Sequence, residues 1–207
     1  MDDAVDRVRA IWLTEPPRLD GPVHLVEYDP AWPAEFERQA NRIGRTLGPR
    51  ALMVEHVGST AVPGLAAKPR IDILVAVTSS ADEASYVPAL ASAGYPLCIR
   101  EPDWHEHRVF KGPDVDLNLH VLTTGCSEIE RMLTFRDWLR SQADERERYL
   151  HTKRALAARS WTYTQQYADA KTEVVEQILA RAGAPPRNDD EVEVAGGADS
   201  AGRAQPP

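Results

Sequence analysis

Apolar positions recur along the chain with two different periods, and the change of period marks out the elements. Phe36, Ala40, Ile43 and Leu47 return at helical spacing after the turn signal at Asp29 and Pro30. ALMVEHV (51–57) and RIDILVAV (70–77) are β-branched apolar runs of strand length, and VHLVE (23–27) is a shorter one. The connection GSTAVPGLAAKP, with two glycines and two prolines, separates the two long runs. A helix is predicted over about 81–93, ending at Gly94. Two strands, about 104–110 and 115–122, flank the turn signal KGPD. From Ser127 onward the spacing turns helical, over about 128–140, 143–158 and 162–182, with Gly183 and two prolines closing the last segment. The prediction is an α+β chain: a mixed sheet with flanking helices and a C-terminal helical segment, not a repeating βαβ pattern.

The two ends read differently from the middle. Val5, Val8, Ile11 and Trp12 give residues 1–13 a helical face, and TEPPRLDGP reads as a linker, so 1–21 is expected to be an N-terminal helix plus linker. Residues 184–207 hold four prolines, no aromatic residue and a charge of −3 from five acidic and two basic side chains. Such a tail buries too little apolar surface to offset its ordering entropy and is expected to stay disordered. That leaves 22–183 as the compact domain.

Composition narrows the function classes. Among 207 residues the formal charge is −8, which disfavours nucleic acid or an anionic membrane as a general partner. No apolar run approaches the roughly 20 residues of a membrane span, and the acidic start lacks a secretory signal, so a cytoplasmic location is expected. Cys98 and Cys126 are too few for a disulfide framework.

Candidate chemistry gathers in the middle. Gly58, Ser59 and Thr60 follow a strand directly, where a glycine and two hydroxyls suit a phosphate. Asp72, set between isoleucines on the next strand, suits a Mg²⁺ ligand, although a tight turn and a solvent-facing carboxylate explain the same letters. In VDLNLHV the alternation puts Asp116, Asn118 and His120 on one face. A four-residue KGPD turn would set His107 opposite Asn118 and His105 opposite His120; a one-residue slip would substitute Arg108 and Glu106. His105, His107 and His120 together also allow a three-histidine zinc site, and an ordinary wet sheet face is the alternative. Tyr149 with Lys153, and Tyr167 with Lys171, stand four apart on helices; two such lysines can grip a polyphosphate or merely snorkel beside tyrosines. Trp104, Trp138 and Trp161 read as packing anchors, and Ile129, Met132, Leu133 and Phe135 as a core-facing helix stripe.

The run EHVGSTAVPGLAAKPRIDILV, followed by WHEHRVF, DLNLHV, FRDWLR and the two Tyr-x-x-x-Lys pairs, resembles the GrpB family over about residues 23–183. The resemblance implies a fold similar to nucleotidyltransferases, found alone or fused to dephospho-CoA kinase. In that pattern Gly58 and Ser59 match the turn and Asp72 the second of two aspartates; the first falls on Arg70, and a third carboxylate falls near Asp116 or Asn118. The implied site has Ser59 and Thr60 on phosphate, with Asp72 and Asp116 as candidate Mg²⁺ ligands. Lys68, Arg108, Lys153 and Lys171 would neutralise phosphate charge, Asn118 would bind nucleotide, and His107 or His120 would act as base. Three readings stay open: a nucleotidyltransferase-like protein that takes a Mg-nucleotide and hands a nucleotidyl group to a small molecule or protein, a non-catalytic nucleotide or coenzyme module, and a histidine-based metal enzyme. The sequence leaves open whether catalysis occurs at all, and it leaves the oligomeric state open too.

Overall fold

A computed structural model describes residues 8–187. The elements are β1 (Arg18–Gly21), α1 (Trp32–Leu47), β2 (Met53–Val57), β3 (Ile71–Val77), α2 (Val87–Ser92), β4 (Leu97–Glu101), β5 (His107–Lys111), β6 (Leu117–Thr123), α3 (Ser127–Ser141), α4 (Ala143–Ala157), β7 (Trp161–Tyr163), α5 (Thr164–Asp169) and α6 (Thr172–Ala182). Five strands form the main sheet in the order β2-β3-β6-β5-β4, and β1 pairs with β7 in a second, two-stranded sheet. Only β3 and β6 run parallel; the other pairs of the main sheet are antiparallel. The mixed α+β architecture with a C-terminal helical segment is as the periodicity predicts.

One sheet face is the main core. Ile71, Ile73, Val75 and Val77 of β3, with Leu117, Leu119 and Val121 of β6 and Phe110 of β5, pack under Trp32, Ile43 and Leu47 of α1 and Leu90 of α2. Because strand side chains alternate, the other face takes Val57, Leu74, Ala76 and Leu122, which α3 covers with Ile129, Met132 and Leu133. Further along that face the covering helices stand off, and polar side chains take over. A third cluster ties the connection after β2 to the helical segment: Val62 and Leu65 pack with Leu139, Tyr149, Val174 and Ile178. The phosphate-turn candidate is thereby braced by three C-terminal helices and not left as a free loop.

Several expected elements change. Residues 23–27 form no strand; Val26 makes one bridge to Ala67. Residues 14–22, read as a linker, carry β1. The predicted helix over 81–93 is a single 3₁₀ turn at Glu83–Ser85 followed by the short α2, since Pro88 can only be tolerated in a helix's first turn. The helix expected over 162–182 breaks into β7, α5 and α6. The strand expected from 104 begins at His107, because His105 and Glu106 take positive φ angles of 52° and 49° in the turn before it. Of the expected N-terminal helix, residues 8–11 are helical and residues 1–7 lie outside the described residues, as does the tail from 188 to 207. Trp12 bridges Ile99 and Leu13 N–H donates to the Cys98 carbonyl, so this segment covers the free edge of β4. Among the described residues no helix is long and apolar enough to cross a membrane.

His56 reports on the main core. It is buried, stacked on Phe36 at 4.7 Å and hydrogen-bonded through Nε2 to Thr60 Oγ1. Burial above all pushes its pKa from 6.5 to about 4, so the ring is neutral in the fold. An imidazole with a depressed folded value is protonated first in the unfolded chain. Its contribution is therefore whole above about pH 6.5 and is lost as pH falls toward 4. Urea titrations across that window should show stability dropping by up to about 3 kcal/mol on acidification, with a clearly shallower drop in His56→Phe.

Candidate functional site

The site is built where β3, β6, β5 and β4 present their polar alternation to the less covered face. Parallel pairing puts Asp72 beside Asn118 and Leu74 beside His120. The hairpin register is Lys111 opposite Asn118 and Val109 opposite His120, not the pairings expected from a KGPD turn. The loop runs from Gly112 to Asp116, and Lys111 still belongs to the strand. The displacement is four residues (111 minus 107), an even number, so His107 keeps the face it shares with His120 and Asn118. His105 leaves the arrangement, because it lies in the turn. The expected three-histidine grouping does not form, and among the described residues no three His, Cys, Asp or Glu side chains are grouped to hold a metal ion.

What does form is a row of hydrogen bonds and one longer charge contact across four strands. His107 Nδ1 pairs with Glu101 Oε2 at 2.7 Å, and His107 Nε2 meets His120 Nδ1 at 3.0 Å with the rings stacked 8° from parallel. His120 Nε2 then faces Asp72 Oδ1 at 3.7 Å. Asn118 Nδ2 donates to the same Asp72 oxygen at 2.8 Å, and Lys111 Nζ donates to Asn118 Oδ1. A carboxylate only accepts, so His107 carries its proton on Nδ1 toward Glu101. In a neutral His107, Nε2 then accepts from His120 Nδ1–H. That leaves His120 Nε2 as the one nitrogen whose protonation decides whether Asp72 meets a lone pair or an N–H. Burial lowers the pKa of His107, and the Glu101 hydrogen bond partly restores it. Burial raises that of Asp72, but His120, Arg70 and Asn118 outweigh it and hold the carboxyl below its ordinary value.

Gly58 brings the turn onto this carboxylate. At φ +71° it occupies the left-handed region, and a Cβ there would stand 2.4 Å from Asp72 Oδ2. Ser59 follows in a 3₁₀ turn and interacts with the Tyr149 phenol, whose pKa burial pushes up to about 12. Thr60 is not available to a ligand in the same way: its buried hydroxyl donates to the Arg70 carbonyl and meets His56.

Four lysines feel the Asp72 charge, and burial depresses the pKa of each. Lys68 falls to about 8, with Arg70 adding to the effect of burial, and Lys111 falls beside the same Arg70. Lys153 falls to about 7, with Lys171 adding to the effect of burial; its Nζ donates to the Ala66 carbonyl at 2.7 Å. Burial lowers Lys171 as well, and its Nζ lies 4.8 Å from the Tyr167 ring centre. Asp72 is the carboxylate common to all four, but Asp116 acts more strongly than Asp72 on Lys68 and Lys111, and Asp169 adds to it at Lys171.

Two more predicted residues stand elsewhere or are engaged. Arg108 points to the opposite sheet face, where Glu83 and Glu106 hold its guanidinium. Asp116 is exposed and accepts from Arg70 Nε at 2.7 Å. For Mg²⁺ the donor set therefore reduces to Asp72, with Oδ1 on Asn118 and Oδ2 turned to Gly58. That fits an ion escorted in on phosphate oxygens, since Mg²⁺ needs only one or two protein carboxylates. Arg70 and Lys111 were absent from the expected phosphate set, and Glu101 from the expected site. Lys111 continues the alternation 107, 109, 111; Glu101 sits on a strand too short and mixed to be read.

A cleft of about 640 Å³ opens beside this network. Arg70, Glu101, His107, Lys111, Asn118, His120 and Lys171 belong to its wall, whereas Asp72, Ser59, Lys68 and Lys153 do not.

The chain matches the family model described as GrpB protein over residues 22–181. It is 60% identical over 162 residues to a UPF0157 protein of Halalkalibacterium halodurans, covering 78% of this chain and 83% of that one. The crystal structure of the conserved protein GrpB from Enterococcus faecalis superposes with a TM-score of 0.65 at 32% identity, over 77% of this chain and 96% of that one. A dephospho-CoA kinase of Mycolicibacterium paratuberculosis is 36% identical over 165 residues, which are 67% of this chain but 40% of the kinase.

Replacing Glu101 by Gln removes the group that raises the His107 pKa. Ring-nitrogen NMR titrations should place the His107 transition at lower pH in Glu101→Gln than in the parent chain; an unmoved transition would mean that the pair is not coupled to Glu101.

Proposed function

The chain belongs to the GrpB family, and from that membership together with the site geometry we propose that it binds the phosphates of a nucleotide around Asp72 and passes the nucleotidyl group to a small molecule or protein. The observation that carries this reading is the charge balance: four partly or fully buried lysines have only Asp72 as a carboxylate common to all of them. Burial alone disfavours every one of those ammonium groups. A polyphosphate entering among them supplies the missing negative charge, and Mg²⁺ arriving on its oxygens would use Asp72. His120 Nε2, backed by His107 and Glu101, is the candidate base for an attacking hydroxyl.

A second reading is favoured by one residue. Arg70 stands where the nucleotidyltransferase pattern places its first aspartate, and it occupies Asp116, the candidate third carboxylate, in an ion pair. A site so altered suits a module that holds a nucleotide or coenzyme without breaking a bond. The partial likeness to dephospho-CoA kinase agrees with a phosphorylated coenzyme as ligand.

Asp72→Asn separates the two. It keeps the shape and the contact with Asn118 while removing the charge. If Mg-nucleotide sits on Asp72, calorimetry with ATP should show Mg²⁺-dependent binding that weakens at least tenfold in the variant. If the lysines hold the phosphates unaided, ATP should bind equally well in EDTA and tighter in Asp72→Asn. Absence of binding under both conditions would defeat the proposal.

Binding should also draw in protons. At pH 8 Lys153 is mostly neutral and Lys68 about half protonated, and a neighbouring phosphate raises both values. Calorimetry in buffers of different ionisation enthalpy should therefore report uptake of up to about one proton at pH 8, shrinking as pH falls toward 6.

A further inference from the structure

The cleft has two unlike walls. Its sheet wall offers Lys111, Asn118, His120 and His107. Its helical wall offers Met132 and Phe135 of α3 with Val175 and Leu179 of α6, interleaved with the charged Glu128, Arg131 and Glu176. Met132, Phe135 and Val175 are only partly buried, so hydrocarbon is left uncovered there. A diphosphate displaces about five waters, on the order of 150 Å³ at roughly 30 Å³ each, which is about a quarter of the 640 Å³. The remaining space borders apolar side chains that a purely ionic ligand would leave wet. Trp12 and Trp104 also line the cleft, and their indole N–H groups are buried without an acceptor among the described residues.

We infer that the cleft takes an amphipathic small molecule, with a phosphate or diphosphate head on Lys111, Lys171 and Arg70 and a hydrocarbon body laid along Met132, Phe135 and Val175. This rests on the reading that the lysines hold phosphate, and it adds the class of molecule. Head and body meet different groups: Lys111, Arg70 and the Asn118 amide from the sheet with Lys171 from the start of α6, and the thioether, phenyl and methyl groups of Met132, Phe135 and Val175. A lipid headgroup in a bilayer presents the same phosphate, but the chain's charge of −8 opposes an anionic membrane surface.

The test is a chain-length series. Pyrophosphate and n-butyl, n-hexyl and n-octyl phosphate are titrated into the full chain, with calorimetry and Trp fluorescence as readouts. Each methylene buried against the helical wall should tighten binding by about fourfold, so octyl phosphate should exceed butyl phosphate by a factor of ten or more. Met132→Gln and Val175→Asn, both at partly exposed positions, should flatten the series while leaving pyrophosphate affinity unchanged. Affinity independent of chain length, with pyrophosphate still bound, overturns the inference and spares the phosphate reading. A series that survives both substitutions also overturns it, since the body then lies elsewhere. If neither pyrophosphate nor any alkyl phosphate binds, the phosphate reading fails and this inference with it. Co-sedimentation with phosphatidic acid vesicles that octyl phosphate competes away would replace the soluble ligand by a membrane lipid.

Discussion

Burying positive charge in a small domain is costly unless something opposite sits close by, and here one side chain, Asp72, serves all four buried lysines, with Asp116 acting more strongly on two of them. Asp72 is reached by Asn118 and His120 from β6 and pressed by Gly58 from the turn after β2. Its field extends to Lys68, Lys111, Lys153 and Lys171. The elements that carry those residues come from both halves of the chain. Their mutual placement depends on the parallel β3–β6 pairing and on the packing of Val62 and Leu65 against the C-terminal helices. Fold and site are therefore one problem: without the helical segment, the turn over Asp72 loses its brace and two of the four lysines disappear.

The row of polar contacts from Glu101 to Lys111 gives this arrangement a direction. At one end a carboxylate sets the tautomer of His107; at the other an ammonium orients the Asn118 amide so that its N–H₂ meets Asp72. In the proposed reading, the groups that would move a proton and those that would hold a phosphate meet at a single carboxylate. His120 sits at the junction, on the cleft wall, within reach of both.

How much of this was legible in the letters depends on the range of the interaction involved. The Gly-Ser turn, the aspartate strand and the Asp116–His120 alternation follow from local periodicity and turn chemistry, and those elements form close to where the pattern places them. Which side chains share a face was also legible, because an even displacement preserves it; the register was not, since it depends on how Gly112 to Asp116 pack. Arg108 illustrates the complementary failure. It is adjacent to His107 in sequence, yet strand alternation carries it to the other face and into the grip of Glu83, a partner 25 residues away. β4 escaped notice because the three apolar letters of LCIRE stand together and are followed at once by two charges, with no alternation to announce an edge strand, and with it went Glu101. The break between α5 and α6 was hidden because both pieces keep helical spacing.

The segment around Trp12 lies against β4 and also lines the cleft, with Lys111 Nζ 5.8 Å from the indole centre. One short stretch of backbone thus does two jobs that other proteins divide between separate parts. Any displacement of it would uncover an unpaired strand and widen the cleft in the same movement. Access to the interior and the risk of sticking to a neighbouring copy are in that way geared together, and evolution cannot relax the one without loosening the other.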